Sequence, residues 1–146
     1  MDMMTGLQVS FSALNAQRTR MNVIASNLAN AQSTRTPEGG PYKRQEVIFA
    51  AQPQHSMFAE MLNAQLQDGV NAVQVLNVVS DPTGTRLEYE PGHPDANEQG
   101  YVAYPNVNVM REMVDLISAT RAYEANVTAI NSSKDMALRA LQIGRV

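Results

Sequence analysis

The two longest stretches free of helix breakers lie at opposite ends of the chain, and this restricts the available folds more than any other feature. Residues 5–31 contain no proline and only Gly6 near the edge, and residues 108–143 contain neither proline nor glycine. In the first stretch Leu7, Phe11, Leu14, Arg18, Met21, Ala25 and Leu28 follow alternating steps of four and three, broken in character only at Arg18. That is the spacing of a helix that packs along a seam. In the second, Val109, Met113, Leu116, Thr120, Tyr123, Val127, Ile130, Lys134, Ala137 and Leu141 keep the same rhythm, with Lys134 as the break and Gly144 as a stop. At ~1.5 Å per residue these are helices of roughly 40 Å and 50 Å.

Charge separates the two. Between residues 5 and 31 only Arg18 and Arg20 are charged, whereas a helix with one solvated face normally fills that face with Lys and Glu. Ser12, Asn15, Thr19, Asn22, Ser26 and Asn30 form instead a second stripe of small neutral groups. Such groups tolerate burial when they can hydrogen-bond, so the helix is expected to be covered on more than one side by other chains. The later helix carries more charge, with Arg111–Asp115 and Asp135–Arg139 at a spacing that usually marks a solvated face. Its small residues Ser118, Ala122, Ala125, Ala129 and Ser132 make a shallow groove where a second helix can lie close.

The segment between differs in kind. Residues 33–41 are turn and loop chemistry, with two prolines and two glycines. Residues 42–49, 70–79, 86–90 and 100–104 read as strands or extended links, separated by Asp81-Pro82-Thr83-Gly84 and Pro91-Gly92-His93-Pro94-Asp95. Residues 56–67 place Met57, Phe58, Met61, Leu62 and Leu66 at helical spacing, which leaves their state open. The expectation is an α+β chain. Segments 1–31 and 108–146 form terminal helices pairing as a coiled coil, around a small β-rich insert at 32–107.

Composition excludes several functions. With no cysteine there is neither a disulfide nor a thiolate metal site, and two His leave few routes to nucleophilic catalysis. The sequence holds no G-x-S-x-G and no phosphate-cradling glycine motif. Glu88, Glu90, His93, Asp95 and Glu98 are the densest polar group, but their spacing matches no metal loop, and an ordinary polar loop is the better reading. His55 lies in a polar tract and is expected to be exposed. Arg35, Lys43 and Arg44 read mainly as solvated loop charge, and a net charge of -3 gives no reason to expect nucleic-acid binding. No 18-residue apolar run crosses a membrane, and the acidic start Met1-Asp2-Met3-Met4 is unlike a secretory signal. We therefore expect no catalytic, cofactor or metal residues.

Several motifs carry a resemblance. Ser12-Ala13-Leu14, Ala16-Gln17 and Met21-Asn22-Val23-Ile24-Ala25-Ser26-Asn27-Leu28-Ala29-Asn30 resemble the N-terminal signature of bacterial flagellar axial proteins, the rod and hook subunits. Val107-Asn108-Val109-Met110-Arg111-Glu112-Met113-Val114 and Ala119-Thr120-Arg121-Ala122-Tyr123-Glu124-Ala125-Asn126 resemble their C-terminal helix. Pro41-Tyr42-Lys43-Arg44, Val47-Ile48-Phe49, Tyr89-Glu90-Pro91-Gly92-His93-Pro94-Asp95-Ala96-Asn97, Gly100-Tyr101-Val102 and Pro105-Asn106-Val107 look like the proximal-rod branch, as does the short chain.

The resemblance implies a structural subunit exported unfolded by the flagellar type III apparatus and built into the periplasmic rod of the basal body. The terminal helices would form the inner tube and the middle segment would pack outside it. It implies as partners copies of the same chain, other rod proteins, and membrane-ring and export-gate components at the rod base, with no nucleic acid and no membrane insertion. The expected assembly residues are Leu7, Phe11, Leu14, Met21, Leu28, Met113, Leu116, Tyr123, Val127, Ile130 and Leu141, with Asn22, Asn27 and Asn30 as cross-chain amide contacts. The alternative is a soluble coiled-coil adaptor whose two helices satisfy each other.

Overall fold

The computed structural model describes residues 3–53 and 71–144. Helix α1 runs Met3–Ala29, strands β1 and β2 run Gln45–Pro53 and Asn71–Ser80, β3 and β4 run Arg86–Tyr89 and Tyr101–Tyr104, and helix α2 runs Val109–Ile143. This is an α+β chain with a helix toward each end and the strands between. The helical spacing noted at 56–67, and His55, lie outside the described residues. The described residues fall into two compact units. One is drawn from residues 3–19, 49–53, 71–76 and 119–144, the other from Arg20–Ile48 and Asn77–Ser118.

Both helices end where side chains satisfy their free backbone groups. At the end of α1 the Asn30 amide donates to the Ser26 carbonyl at 2.9 Å, and the Ser33 hydroxyl donates to Asn30 Oδ1 at 3.2 Å. At the start of α2, Asn108 is the cap, and its Oδ1 accepts from the Arg111 N–H at 3.1 Å. Glu112 lies in the first turn, where a carboxylate faces the positive end of the helix dipole.

Within α1 three small hydroxyl residues bond back to their own helix, while Ser26 meets the Tyr42 hydroxyl at 3.3 Å. Ser10 donates to the Gly6 carbonyl at 2.9 Å, Ser12 to Val9 at 2.7 Å and Thr19 to Asn15 at 3.1 Å. Together these bonds explain how the helix carries a neutral stripe without needing a partner chain for each hydroxyl.

Strands β1 and β2 form one two-stranded sheet and β3 and β4 another. In the first unit β2 meets α1 through the Val73 N–H, which donates to Ser12 Oγ at 3.1 Å. In the second unit β3 and β4 run antiparallel with Leu87 opposite Ala103, Glu88 opposite Val102 and Tyr89 opposite Tyr101. Alternation sends Val102 inward, where it is fully buried, and leaves Leu87, Tyr89 and Tyr101 exposed on the other face.

The turn feeding β4 depends on glycine. Gly100 has a φ of +82°, and a Cβ there would meet Tyr89 Cε2 at 2.9 Å. The Tyr89 ring covers this bare backbone and stacks edge-on against Tyr101 at 5.4 Å. Gly100→Ala is expected to cost about 1–2 kcal/mol from backbone conformation alone. A lowered urea midpoint at unchanged m value would register it, and an unchanged midpoint would refute it.

Candidate functional site

The most organised polar group in the second unit centres on two side chains that are each only 1 % exposed, Asn27 of α1 and Glu112 of α2. The Asn27 amide donates to the Gln45 carbonyl at 2.8 Å and to Glu112 Oε2 at 3.2 Å. Its Oδ1 accepts from the Gln45 N–H at 2.9 Å and from the Tyr42 hydroxyl at 3.0 Å. All four hydrogen-bonding positions of the amide are filled. By engaging both backbone groups of Gln45, Asn27 does for the first residue of β1 what a neighbouring strand would do.

Arg44 completes the group. Its Nε donates to Glu112 Oε1 at 2.7 Å, and its guanidinium lies 3.7 Å from Glu46 and 3.8 Å from Asp81. Burial pulls the Arg44 pKa down, but the hydrogen bond to Glu112 and the charges of Glu112, Glu46 and Asp81 outweigh it and raise it above its ordinary value. The hydroxyl and backbone N–H of Thr83 hold the Asp81 carboxyl below its usual range, with Arg44 adding to the effect. Arg44 is therefore a fastening between β1, the end of β2 and the root of α2, and not the solvated loop charge expected from the sequence. Arg35 does remain in solvent, 4.0 Å from Asp95.

The exposed face of α1 is a single stripe. Met4, Gln8, Phe11, Asn15, Arg18, Asn22, Ala25 and Ala29 are exposed at alternating steps of four and three, while the residues between them are half-buried or buried. Among the expected assembly residues, Phe11 and Asn22 lie on this stripe, whereas Leu7, Leu14, Met21 and Leu28 are half-buried beside it. Asn27 is turned inward, and its amide is bonded to Gln45, Tyr42 and Glu112 of the same chain. Asn30 is half-buried and bonded to its own helix end.

On α2 the covered stripe is Glu112, Leu116, Ala119, Tyr123, Asn126, Ile130, Ser133 and Ala137. The sequence rhythm finds Leu116, Tyr123, Ile130 and Ala137, which are alternate members. The other members are Glu, Ala, Asn and Ser, which a search for large apolar groups passes over. Val127 is half-buried, while Met113 and Leu141 are exposed. Asp115 pairs with Arg20 of α1 at 3.7 Å, and the small residues Ser118, Ala125, Ala129 and Ser132 face outward.

The polar loop at 88–98 spends its groups on separate partners. Tyr104 donates to Glu90 at 3.0 Å, which raises the Tyr104 pKa. His93 Nδ1 accepts from the Asp95 N–H at 3.1 Å, Asp95 accepts from Thr34 at 2.8 Å, and Glu88 pairs with Arg86 at 2.9 Å. Among the described residues no three His, Asp or Glu side chains converge on one point.

The comparisons with known proteins agree with these two helices. Residues 7–35 match the family described as flagella basal body rod protein, and residues 98–143 match the C-terminal family of flagellar basal body rod FlgEFG proteins. The flagellar basal-body rod protein FlgC of Borreliella burgdorferi is 44% identical over 149 residues, covering 98% of both chains. That of Bacillus subtilis is 47% identical, covering 95% of this chain and 96% of its own. This chain belongs to the FlgC family of flagellar basal-body rod proteins. It is a structural subunit of the rod and not an enzyme. The FlgC protein of Salmonella typhimurium is 40% identical over 94% of both chains. In this FlgC-family chain Asn27 falls in the N-terminal rod match and Glu112 in the C-terminal one, so their hydrogen bond joins the two matched segments. Tyr42 and Arg44 lie outside both matches.

Proposed function

We propose that this rod subunit polymerises through α1 and α2 into the helical tube of the flagellar rod, and that the tube carries torque from motor to hook. The observation that supports this most directly is the outward stripe of α1, which is uncharged except at Arg18 and exposes Met4 at 60 % and Phe11 at 62 %. A helix that leaves such a stripe in solvent is missing a partner. Segments 1–31 and 108–146 supply coiled-coil contacts along the tube, and 32–107 packs outside them. Leu7, Phe11, Leu14, Met21, Asn22 and Leu28 meet neighbouring helices together with Met113, Leu116, Tyr123, Val127, Ile130 and Leu141.

Load spreads over many small apolar and amide contacts, so no single bond must bear it. The subunit reaches the periplasm through the type III route. There it meets copies of itself, other rod proteins, and ring and export-gate components at the rod base. The anchored ends of the helices and their free ends should differ in stability. Hydrogen exchange on the dilute chain is expected to show protection near Asn27 and Glu112 that falls toward Met4 and toward Ile143, and to show it rising along both helices on polymerisation. Uniform strong protection of both helices in the dilute chain would favour the soluble adaptor instead.

A further inference from the structure

In the second unit α1 and α2 are joined by a buried hydrogen bond, Asn27 Nδ2 to Glu112 Oε2 at 3.2 Å. A half-exposed ion pair, Arg20 with Asp115 at 3.7 Å, adds a second tie, and pairs of that kind contribute little. The covered stripe of α2 resembles itself every seven residues. Its larger members are Leu116, Tyr123 and Ile130, and its smaller ones Ala119, Asn126 and Ser133. Sliding α2 by seven residues, ~10 Å along the axis, lays large on large and small on small. Apolar packing follows area and volume, which such a slide nearly conserves. Glu112 is the member with no equivalent. The slide puts Ala119 where Glu112 stood, and the opposite slide puts Pro105 there, which precedes the helix.

The groups that face Glu112 do not tolerate the exchange. Arg44 Nε would lose its acceptor at 2.7 Å and Asn27 Nδ2 one of its two, and a methyl group replaces neither. Nor can these donors follow Glu112 along the axis. Asn27 is held to both backbone groups of Gln45 and to the Tyr42 hydroxyl. The Arg44 carbonyl accepts from the Asp81 N–H at 2.7 Å. The end of α1 and the start of β1 therefore make one frame, and Glu112 fits it at a single point.

We propose that Asn27 and Arg44 are positioning residues that fix the register of α2 against α1 through Glu112, selecting one alignment from those the apolar stripe accepts. A lone polar residue on a packed seam specifies register in this way at some cost in stability. The assignment concerns the single chain and stands or falls separately from polymerisation. It accounts for a carboxylate in a covered stripe, where an apolar residue of similar volume is often at least as stable. A rod subunit must present the same surfaces in every copy, and two registers would present two sets.

The chain has no cysteine, so nitroxide labels can be placed at Asn22→Cys on α1 and Met110→Cys on α2, both exposed in the second unit. Double electron–electron resonance on the dilute, purified full chain then reads the distance between them. The helices run in opposite directions here, with Arg20 beside Asp115 and Asn27 beside Glu112, so the slide carries Met110 away from Asn22. With Glu112 and Arg44 in place a single distance is expected. Glu112→Leu with Arg44→Met should add a longer distance in about a tenth or more of the chains, as for two alignments of similar energy. Glu112→Gln should keep the single distance although it is less stable, because its carbonyl still accepts from Arg44. Glu112→Ala brings neither an acceptor nor new bulk and should also show the longer distance, which preserves the comparison if the apolar pair does not fold. A single distance in every folded variant overturns the assignment. So does a spread that follows lost stability, with Glu112→Gln broader than the apolar pair.

Discussion

Glu112→Ala is expected to destabilise the folded chain by about 3 kcal/mol, near the low end for breaking a buried ion pair by removing one partner. The cause is what remains behind. Arg44 Nε loses its acceptor at 2.7 Å, and Asn27 Nδ2 loses one at 3.2 Å, in a place where Glu112 was 1 % exposed. An uncompensated guanidinium in such a site costs more than the pair itself contributed. Arg44 keeps Glu46 and Asp81 nearby and reaches solvent on one side, which keeps the loss from being larger. Glu112→Gln should fall between, because its carbonyl oxygen can still accept from Arg44 while its amide must then face the amide of Asn27. Urea unfolding checks the series. A loss under about 1 kcal/mol for the alanine variant, the usual worth of a single neutral hydrogen bond, would show that the group is not the fastening described. Glu112→Leu with Arg44→Met separates charge from shape: if burial of a lone charge causes the loss, the paired apolar replacement recovers much of it.

How far the sequence reveals this depends on which physical signal each part carries. Both long helices are legible because the absence of proline and a sustained four-three rhythm are strong local signals. The four strands are legible because Pro, Gly and Asp turn chemistry brackets them, with β2 following a Val-rich run. The facing of the helices is less so. On α1 the rhythm of Leu7, Leu14, Met21 and Leu28 picks half-buried positions, but Phe11, Arg18 and Ala25 in the same pattern point to solvent. A large apolar residue marks a packed face only if its partner is in the same chain, and Phe11 has its partner elsewhere in the proposed assembly.

The Asn27–Glu112–Arg44 group was hidden for a different reason. It joins positions 27, 44 and 112, whose meeting is a fact of tertiary structure with no local spacing to announce it. One clue was available. Glu112 lies among the covered positions of α2, four residues before Leu116 and seven before Ala119, where an acidic side chain is costly unless paired. A charge in phase with a packed stripe should prompt a search for its counter-ion, and Arg44 was the cation misread as loop charge.

Ile130→Asp is expected to abolish rod incorporation while leaving expression intact, and comparison with Phe11→Asp shows which contacts are responsible. Ile130 is half-buried in the free chain and lines a groove with Met4, Leu7 and Phe11. Placing a carboxylate there removes apolar packing and desolvates a charge, a loss of about 2–4 kcal/mol shared between the chain's own fold and its neighbours. Phe11 is already in solvent in the free chain, so Phe11→Asp should change monomer stability by less than about 0.5 kcal/mol. In the polymer the same substitution puts a charge into a covered face at every copy. The two variants should therefore differ in urea unfolding of the dilute chain and agree in swimming assays, where both are non-motile and both are missing from isolated basal bodies. Ile130→Val, which keeps shape and polarity, should swim. If cells carrying Ile130→Asp or Phe11→Asp swim normally, the faces of α1 and α2 are not the surfaces through which the rod holds together. If only Phe11→Asp swims, the groove serves the fold of the single chain, and the joint between copies lies elsewhere on the helices.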